Sequence, residues 1–552
     1  MPDDISENPP TEGTGAQCGP SLGVRGLCSR TFASHPWVPR AALAVLSGFL
    51  LAGAFPPLDW GALSWIALVP VFGVLRKATW RAGACYGALT GLTFFLLLFT
   101  YINAYGFLAW FALSAWEATF FAFAGALIAI VGGRVGAAGW PWATAGLWTL
   151  TNLLRGNVGP LSLPFGELAY AQHAASLVRQ LAALLGMYGV TLLVALVNAA
   201  LANLTAIVFG ALAADHVRRE ALRPEVESAT RAARWVALTV AAALGWGAIW
   251  LTSRTRPESA VGEALTVAAV QGNLSAPRGS IAAIEQSLST YRQLSETLAG
   301  RDLDIVVWPE GSVPGRLEAI PSVLPRLQQT ARDLDAWFLF GAQRRDSDGH
   351  TRNSAVLLSP EGDEVAQYDK NNLVMFGEYV PFRRILGWVQ RYGAPRFDLA
   401  PGRGRRLLPA GTAPLGCAIC FESLFPDVSR ELVREGAEVL VIITSDGWAG
   451  QTAEVRQHGY VAQIRAVETG RYVVRAGDTG LTCIITPWGS ITRSVPPFRP
   501  TVLVGKVRCI RAATPYVRWG DAVILVLCHA GFLVPVWTHR RRRRRLAQRR
   551  AQ

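Results

Sequence analysis

From about residue 38 to residue 213 the chain is apolar with only short polar breaks, and residues 234–251 and 517–537 return to the same texture. A membrane span needs about 20 apolar residues, and about 17 suffices. Six spans are expected near 38–57, 60–76, 82–103, 106–132, 138–154 and 184–213. A seventh runs from Arg234 to Leu251, with Trp235, Trp246 and Trp250 near its ends as interface anchors. An eighth runs from Val517 to Trp537. Each piece alone could be a buried helix of a soluble protein. Eight pieces with Trp and Arg flanks argue for a multi-span α-helical membrane domain.

Between spans seven and eight the period changes. Short β-rich runs occur at Leu265–Gln271, Asp304–Trp308, Trp337–Ala342, Ser354–Ser359, Leu415–Cys420, Val439–Thr444, Tyr472–Arg475, Leu481–Thr486 and Val502–Val507. Amphipathic stretches at 280–300, 321–334, 426–435 and 453–469 predict helices between them. Strands alternating with helices predict an α/β domain. The expected organisation is a disordered, Pro-, Gly- and Ser-rich tail over 1–37, a membrane domain over 38–252, an α/β domain over 253–516, the eighth span over 517–537 and a basic tail over 538–552. The tail has no apolar core with a cleavage site, so no signal peptide is expected there.

Charge then orients the spans. The net charge is +14, but the basic residues sit beside apolar segments. With the N-terminus in the cytoplasm, Arg25, Arg30, Arg40, Arg76, Lys77, Arg81, Arg134, the five arginines of 218–234 and the Arg540–Arg545 run all fall inside. The outside loops after spans one and three hold no Lys or Arg. The positive-inside rule favours this orientation and puts the α/β domain outside the cytoplasm. No nucleic-acid recognition motif accompanies the charge, so a nucleic-acid partner is not expected.

The candidate chemistry lies at the ends of the β-rich runs. Cys420 closes the apolar run Pro414-Leu-Gly-Cys-Ala-Ile-Cys420 and breaks into a turn at Phe421-Glu422. Glu310 ends Asp304-Ile-Val-Val-Trp-Pro-Glu310, and Lys370 ends Tyr368-Asp-Lys370. Taken singly, they read as a core thiol, a surface carboxylate and a solvated lysine. Together they are the parts of a thiol acyl-transfer site, because a thiol needs a base or a nearby cation to react near neutral pH. Cys417 and Cys420 also spell Cys-x-x-Cys. A redox pair should open a helix, and here the motif lies in a strand, where positions three apart face opposite ways. No second Cys or His pair follows at zinc spacing, so no metal is expected. The eight cysteines form no disulfide framework, and whether Cys483 and Cys509 are bridged stays open.

These residues sit in a wider set of motifs: Val270-Gln-Gly-Asn273, Trp308-Pro-Glu310, Asn353-Ser354, Tyr368-Asp-Lys370, Phe376-Gly-Glu-Tyr-Val-Pro381, Cys420-Phe-Glu422, and Thr444-Ser-Asp-Gly-Trp448 with Gln457-His458 and Arg465-Ala-Val-Glu468. In these the α/β segment resembles the nitrilase superfamily, and residues 38–537 resemble the apolipoprotein N-acyltransferases. The resemblance implies an α-β-β-α sandwich with Glu310 as general base, Lys370 beside the oxyanion and Cys420 as nucleophile. It implies a supporting carboxylate at Glu378, supporting site positions at Phe421 and Glu422, a substrate- or lipid-binding position at Asn353, and a wall and lipid entrance shaped by Glu422 and Trp448. Arg155, in Trp148-Thr-Leu-Thr-Asn-Leu-Leu-Arg155-Gly, is expected either to touch a lipid phosphate or to anchor at the interface. The implied partners are a membrane phospholipid as acyl donor, a diacylglyceryl apolipoprotein as acceptor and the bilayer itself, with no cofactor and a monomeric chain.

The departures are Met375 where relatives carry Pro, Phe421 where Tyr is common, Arg278-Gly-Ser in place of Lys-Trp, and a shortened run before Trp448. A membrane-tethered amidase that passes its acyl group to water shares the first half-reaction, though one span would tether it. A non-enzymatic transporter or scaffold is disfavoured because the spans lack the paired intramembrane charges of an ion pathway.

Overall fold

The computed structural model describes residues 37–159, 161–212, 214–254, 262–274, 280–392 and 394–551. The N-terminal tail expected to be disordered, with Cys18, Cys28, Arg25 and Arg30, lies outside the described residues, as does Arg278.

The membrane half runs α1 (Trp37–Gly53), α2 (Val69–Leu75), α3 (Trp80–Leu98), α4 (Phe107–Gly132), α5 (Trp140–Asn157), α6 (Ala182–Leu212) and α7 (His216–Arg254). Five helical segments are long and apolar enough to cross a membrane: Trp80–Leu98, Phe107–Gly132, Ala182–Leu212, Arg218–Thr252 and Ala522–Arg549. Two further apolar segments, Trp37–Gly53 and Gly61–Leu75, are shorter. The piece expected as a second span, 60–76, is a 3-10 turn over Gly61–Trp65 followed by the seven-residue α2, where Pro70 sits at the start of the new helix. The seventh helix is far longer than its apolar part. The Arg-, Glu- and Ala-rich stretch before Arg234 consists of good helix formers and continues the helix instead of looping. The arginine run after Trp537 likewise prolongs the last helix to Ala551.

The α/β half contains β1 (Ala264–Gln271), α8 (Ile281–Glu296), β2 (Ile305–Val307), β3 (Val313–Arg316), α9 (Val323–Leu334), β4 (Trp337–Arg345), β5 (Thr351–Leu358), β6 (Glu364–Asp369), β7 (Leu407–Ala410), β8 (Ala413–Ile419), α10 (Pro426–Arg434), β9 (Val439–Thr444), α11 (Glu454–Thr469), β10 (Val473–Gly477), β11 (Thr482–Ile485), β12 (Ile491–Val495) and β13 (Thr501–Arg508). The chain then ends in α12 (Ala522–Ala551). Every expected strand and helix is present. The runs now forming β3, β6, β7 and β12 were not expected: β3 and β7 are only four residues long and each contains a proline, and β6 and β12 are largely polar.

Two sheets result, in the orders β13-β1-β2-β4-β5-β6 (with β3 on β4) and β12-β11-β10-β9-β8-β7. Strand alternation sorts their side chains into layers. Val267, Ala269, Leu357, Cys417, Val441 and Ile443 fill the space between the sheets. Ala268, Val270, Val356 and Leu358 turn the other way, onto α8 and α9. Ala418, Leu440 and Ile442 turn outward from the second sheet onto α10 and α11. Within that layer α10 keeps Glu431 and Arg434 exposed, whereas nearly all of α11 is buried. Val461, Ile464, Leu424 and Val428 share one continuous apolar core with Phe94, Tyr188 and Leu193 of the membrane helices. The sandwich therefore rests on the membrane half through its α10–α11 layer, a burial worth about 25 cal/mol per Å2 of apolar surface removed from water.

Polar contacts fix that docking. Helix α6 breaks at Gly186, whose φ of 68° suits glycine, and a Cβ there would meet the Tyr516 ring at 2.4 Å. The break leaves the Met187 N–H without a helical acceptor, and the buried Glu468 carboxylate of α11 accepts from it at 2.7 Å. The Gln457 side chain donates to the Pro56 carbonyl at 3.0 Å, and Tyr460 donates to Asp59 at 2.9 Å.

Candidate active site

Glu310, Lys370, Cys420 and Ser445 each lie just past the C-terminal end of a strand, β2, β6, β8 and β9 respectively. Strand ends are where α/β sheets present polar groups, since the backbone there leaves the ladder and turns. The two sheets face each other, so these four ends converge.

Lys370 is the hub. It is almost wholly buried, and its Nζ donates to Glu378 at 3.0 Å and to Glu310 at 3.3 Å. Asn353, on β5, donates through Nδ2 to the same oxygens, at 2.7 Å to Glu310 and 2.8 Å to Glu378. The second oxygen of Glu310 accepts from the Ser445 amide at 3.0 Å, and that of Glu378 from the Val374 amide at 2.8 Å. Burial alone would push the Lys370 ammonium down, but Glu310, Glu378 and Cys420 outweigh it and hold it above its ordinary range. The lysine is thus a fixed positive charge.

Cys420 occupies the first residue after β8 in a left-handed conformation, φ 51°. Alternation after Ile419 would point residue 420 to the outer face; the left-handed turn instead brings its side chain back to the inter-sheet core that Cys417 also lines. Burial pushes the Cys420 thiol well above the usual range, and Glu310 adds to this. Lys370 opposes them. The resting sulfur is therefore a neutral thiol beside a carboxylate and an ammonium. Such a nucleophile needs a base at the moment of attack.

Glu422 does not line the entrance, as the resemblance suggested. It is fully buried and accepts from Tyr368 Oη at 3.0 Å, the Asn371 amide at 2.7 Å, the Ile419 amide at 2.9 Å and Arg405 at 3.1 Å. It ties the turn carrying Cys420 to the strand end carrying Lys370. The short spacing from Cys420 gave no hint of these remote donors. Phe421 is half-buried and packs edge-on against Phe425, ring centroids 5.1 Å apart. Trp448 is 37% exposed and meets Tyr101 and Tyr105 of the membrane half, with centroids at 5.7 and 6.0 Å.

Arg155 contradicts the lipid expectation, and its pairing with Glu117 also overturns the expectation that the spans hold no paired charges. Its guanidinium is fully buried and pairs with Glu117 at 2.9 Å and Glu167 at 2.6 Å. It also donates to the Leu163 and Phe165 carbonyls at 2.7 and 2.9 Å. Its counter-charges come from α4 and from the loop after α5, so it locks that loop inward and does not face lipid. Cys483 and Cys509, left open by the sequence, are both free thiols.

Three buried residues escaped sequence reasoning as site members. Asp446, His458 and Arg475 form a chain behind Cys420, with His458 Nδ1 3.0 Å from Asp446 and Arg475 2.9 Å from the other Asp446 oxygen. Asp446 and His458 stood inside the quoted motifs, but no periodicity links 446, 458 and 475.

The carbon-nitrogen hydrolase family model matches residues 266–513, and the apolipoprotein N-acyltransferase N-terminal domain model matches residues 47–200. An apolipoprotein N-acyltransferase of Geobacter metallireducens is 32% identical over 511 residues, covering 89% of this chain and 94% of its own. That of Methylococcus capsulatus is 30% identical over 91% of this chain and 96% of its own. That of Mycolicibacterium smegmatis is 30% identical over 97% of this chain and 90% of its own. Among solved structures, an amidase from Nesterenkonia sp. aligns with 47% of this chain and 94% of its own at 18% identity, TM-score 0.36. With a membrane half and a carbon-nitrogen hydrolase half in one chain, and relatives alike over nearly their whole length, the chain belongs to the apolipoprotein N-acyltransferase family.

Proposed function

We propose that this chain transfers a fatty acyl group from a membrane phospholipid, through a thioester on Cys420, to the free α-amine of the S-diacylglyceryl-cysteine that begins an apolipoprotein. The observation that carries the reading is the convergence of Cys420, the Glu310 carboxylate and the Lys370 amine at neighbouring strand ends, on a domain seated upon apolar helices.

In the first half-reaction Glu310 takes the thiol proton as sulfur attacks the ester carbonyl. Lys370 holds the negative oxygen of the tetrahedral intermediate. The C–O bond breaks, the proton returns to the leaving oxygen, and a lysophospholipid departs. In the second, the neutral amine attacks the thioester, a C–N bond forms and the C–S bond breaks. Glu310 accepts the amine proton and passes it to the departing sulfur, which restores the thiol. Glu378 and Asn353 flank Glu310 and Lys370 and hold their geometry. Trp448 and Phe421 belong to the entrance, where Trp448 already leans on the membrane half.

The setting we propose is the outer face of a bacterial cytoplasmic membrane, with eight spans and the sandwich extracytoplasmic. The basic flanks of the helices support that orientation. The test is mass spectrometry of the purified protein after incubation with phospholipid. An acyl adduct on Cys420 that a diacylglyceryl peptide discharges as amide supports transfer. Discharge to water alone would favour an amidase, and no adduct would overturn the thioester.

A further inference from the structure

The Cys420 sulfur, an oxygen of Asp446 and a ring nitrogen of His458 lie within 4.8 Å of one another. A cation is poorly served there, because the Arg475 guanidinium already occupies Asp446. The hydrogen bonds point to another use. His458 Nε2 is 3.2 Å from the Cys420 main-chain oxygen and 2.9 Å from Ser423 Oγ. Ser423 Oγ itself donates to that same carbonyl at 2.8 Å. A carbonyl can only accept, so Nε2 carries a hydrogen. On the other side Nδ1 faces the Asp446 carboxylate at 3.0 Å, with Glu454 at 3.6 Å and Arg475 at 3.3 Å. Burial would raise Asp446, but Arg475 and His458 outweigh it and hold it well below the usual range, so it stays an acceptor. Nδ1 thus lies between the Asp446 carboxylate and the Arg475 guanidinium, and the ring is clamped from this side as well.

The node is built. Ser423, Asp446, His458 and Arg475 are all buried, and Gly480 leaves the space Asp446 fills, since a Cβ there would overlap its carboxylate. Arg475 is held in turn by the Leu481 carbonyl at 2.6 Å. Asp446 also accepts from Thr444 Oγ1 at 2.8 Å and opens the turn that carries Trp448. Its neighbour Ser445 supplies the amide that holds Glu310.

We infer that His458 is a positioning residue: with Nε2 on the Cys420 carbonyl and Nδ1 against Asp446, its ring ties the one to the other. This holds the nucleophile in its left-handed turn and fixes it relative to the Glu310 amide partner and the Trp448 turn. The inference rests on the reading that Cys420 is acylated. A misplacement of about 1 Å in a reacting group costs roughly a hundredfold in rate.

The test uses the two amides that mimic one ring nitrogen each. In His458→Gln the side-chain amide reaches the Nε2 position and keeps the donor to the Cys420 carbonyl. In His458→Asn it reaches only the Nδ1 position and keeps the contact with Asp446. Thioester formation from a soluble ester is measured in the full-length protein, with His458→Ala and Cys420→Ala alongside. The expected result is kcat within about fivefold of wild type for Gln and roughly a hundredfold lower for Asn and Ala, with KM unchanged within about twofold. Equal rates for Gln and Asn, a faster Asn variant, or an effect confined to KM would overturn the inference. A Cys420→Ala protein that still takes up the acyl group would instead overturn the catalytic reading beneath it.

Discussion

Replacing Glu422 with glutamine tests whether this buried carboxylate is a brace. The substitution keeps the shape and removes the charge. One Glu422 oxygen accepts from the Asn371 amide and Arg405, the other from the Ile419 amide. Glutamine has one acceptor oxygen, so its NH2 must point at one of these N–H groups. An unsatisfied buried amide costs about 1–3 kcal/mol, and removing one partner of a buried ion pair costs about 3–5 kcal/mol. Arg405 keeps Asn372 at 2.9 Å and Glu431 at 3.3 Å, which places the loss near the lower end, about 3 kcal/mol. At about 1.4 kcal/mol per factor of ten, local opening of the 368–372 and 417–423 segments becomes roughly a hundredfold more frequent. Hydrogen exchange followed by peptide mass spectrometry reads this directly. Faster exchange confined to these two segments, with slower acylation of Cys420, is the expected pattern. Unchanged exchange together with lost acylation would refute the brace and make Glu422 a participant in the chemistry.

Other outcomes follow from the same geometry. Lys370→Ala should lower thioester formation by roughly a hundred- to a thousandfold, the usual loss when an oxyanion partner is removed. Because Lys370 is the group that pulls the Cys420 thiol down, the same variant should shift haloacetamide labelling of Cys420 to higher pH. In wild type that labelling should rise only above the ordinary thiol range, since burial and Glu310 hold the proton on. A leftward shift would contradict the assignment. Trp448→Ala should still acylate Cys420 from a small soluble ester but transfer slowly to a diacylglyceryl peptide; failure with the small ester would move Trp448 into the chemistry. A reporter placed after residue 225 should be cytoplasmic and one near 348 extracytoplasmic, and a cytoplasmic signal at 348 would exclude the proposed substrates.

What the sequence determined by itself is what local physics controls. The length of an apolar run fixes whether a helix can cross a bilayer, and alternation fixes which strand residues enter the core. So the helices at 80–98 and 107–132, the strand ending at Ile419 and the placement of Glu310, Lys370 and Cys420 at strand ends were legible. The motifs carried the family and the roles it implies. Other features depended on partners brought together by topology. Lys370 becomes a fixed cation only because β2 and the 374–378 turn bring two carboxylates to it. Arg155 looked like an interfacial arginine until Glu117 and Glu167 met it inside the membrane half. His458 lay unassigned on an amphipathic helix, and only the fold of α11 against β8 and β9 set its two nitrogens between Cys420 and Asp446. A buried charge or donor is defined by its counterpart, and sequence spacing records that counterpart only when it lies on the same helix or strand.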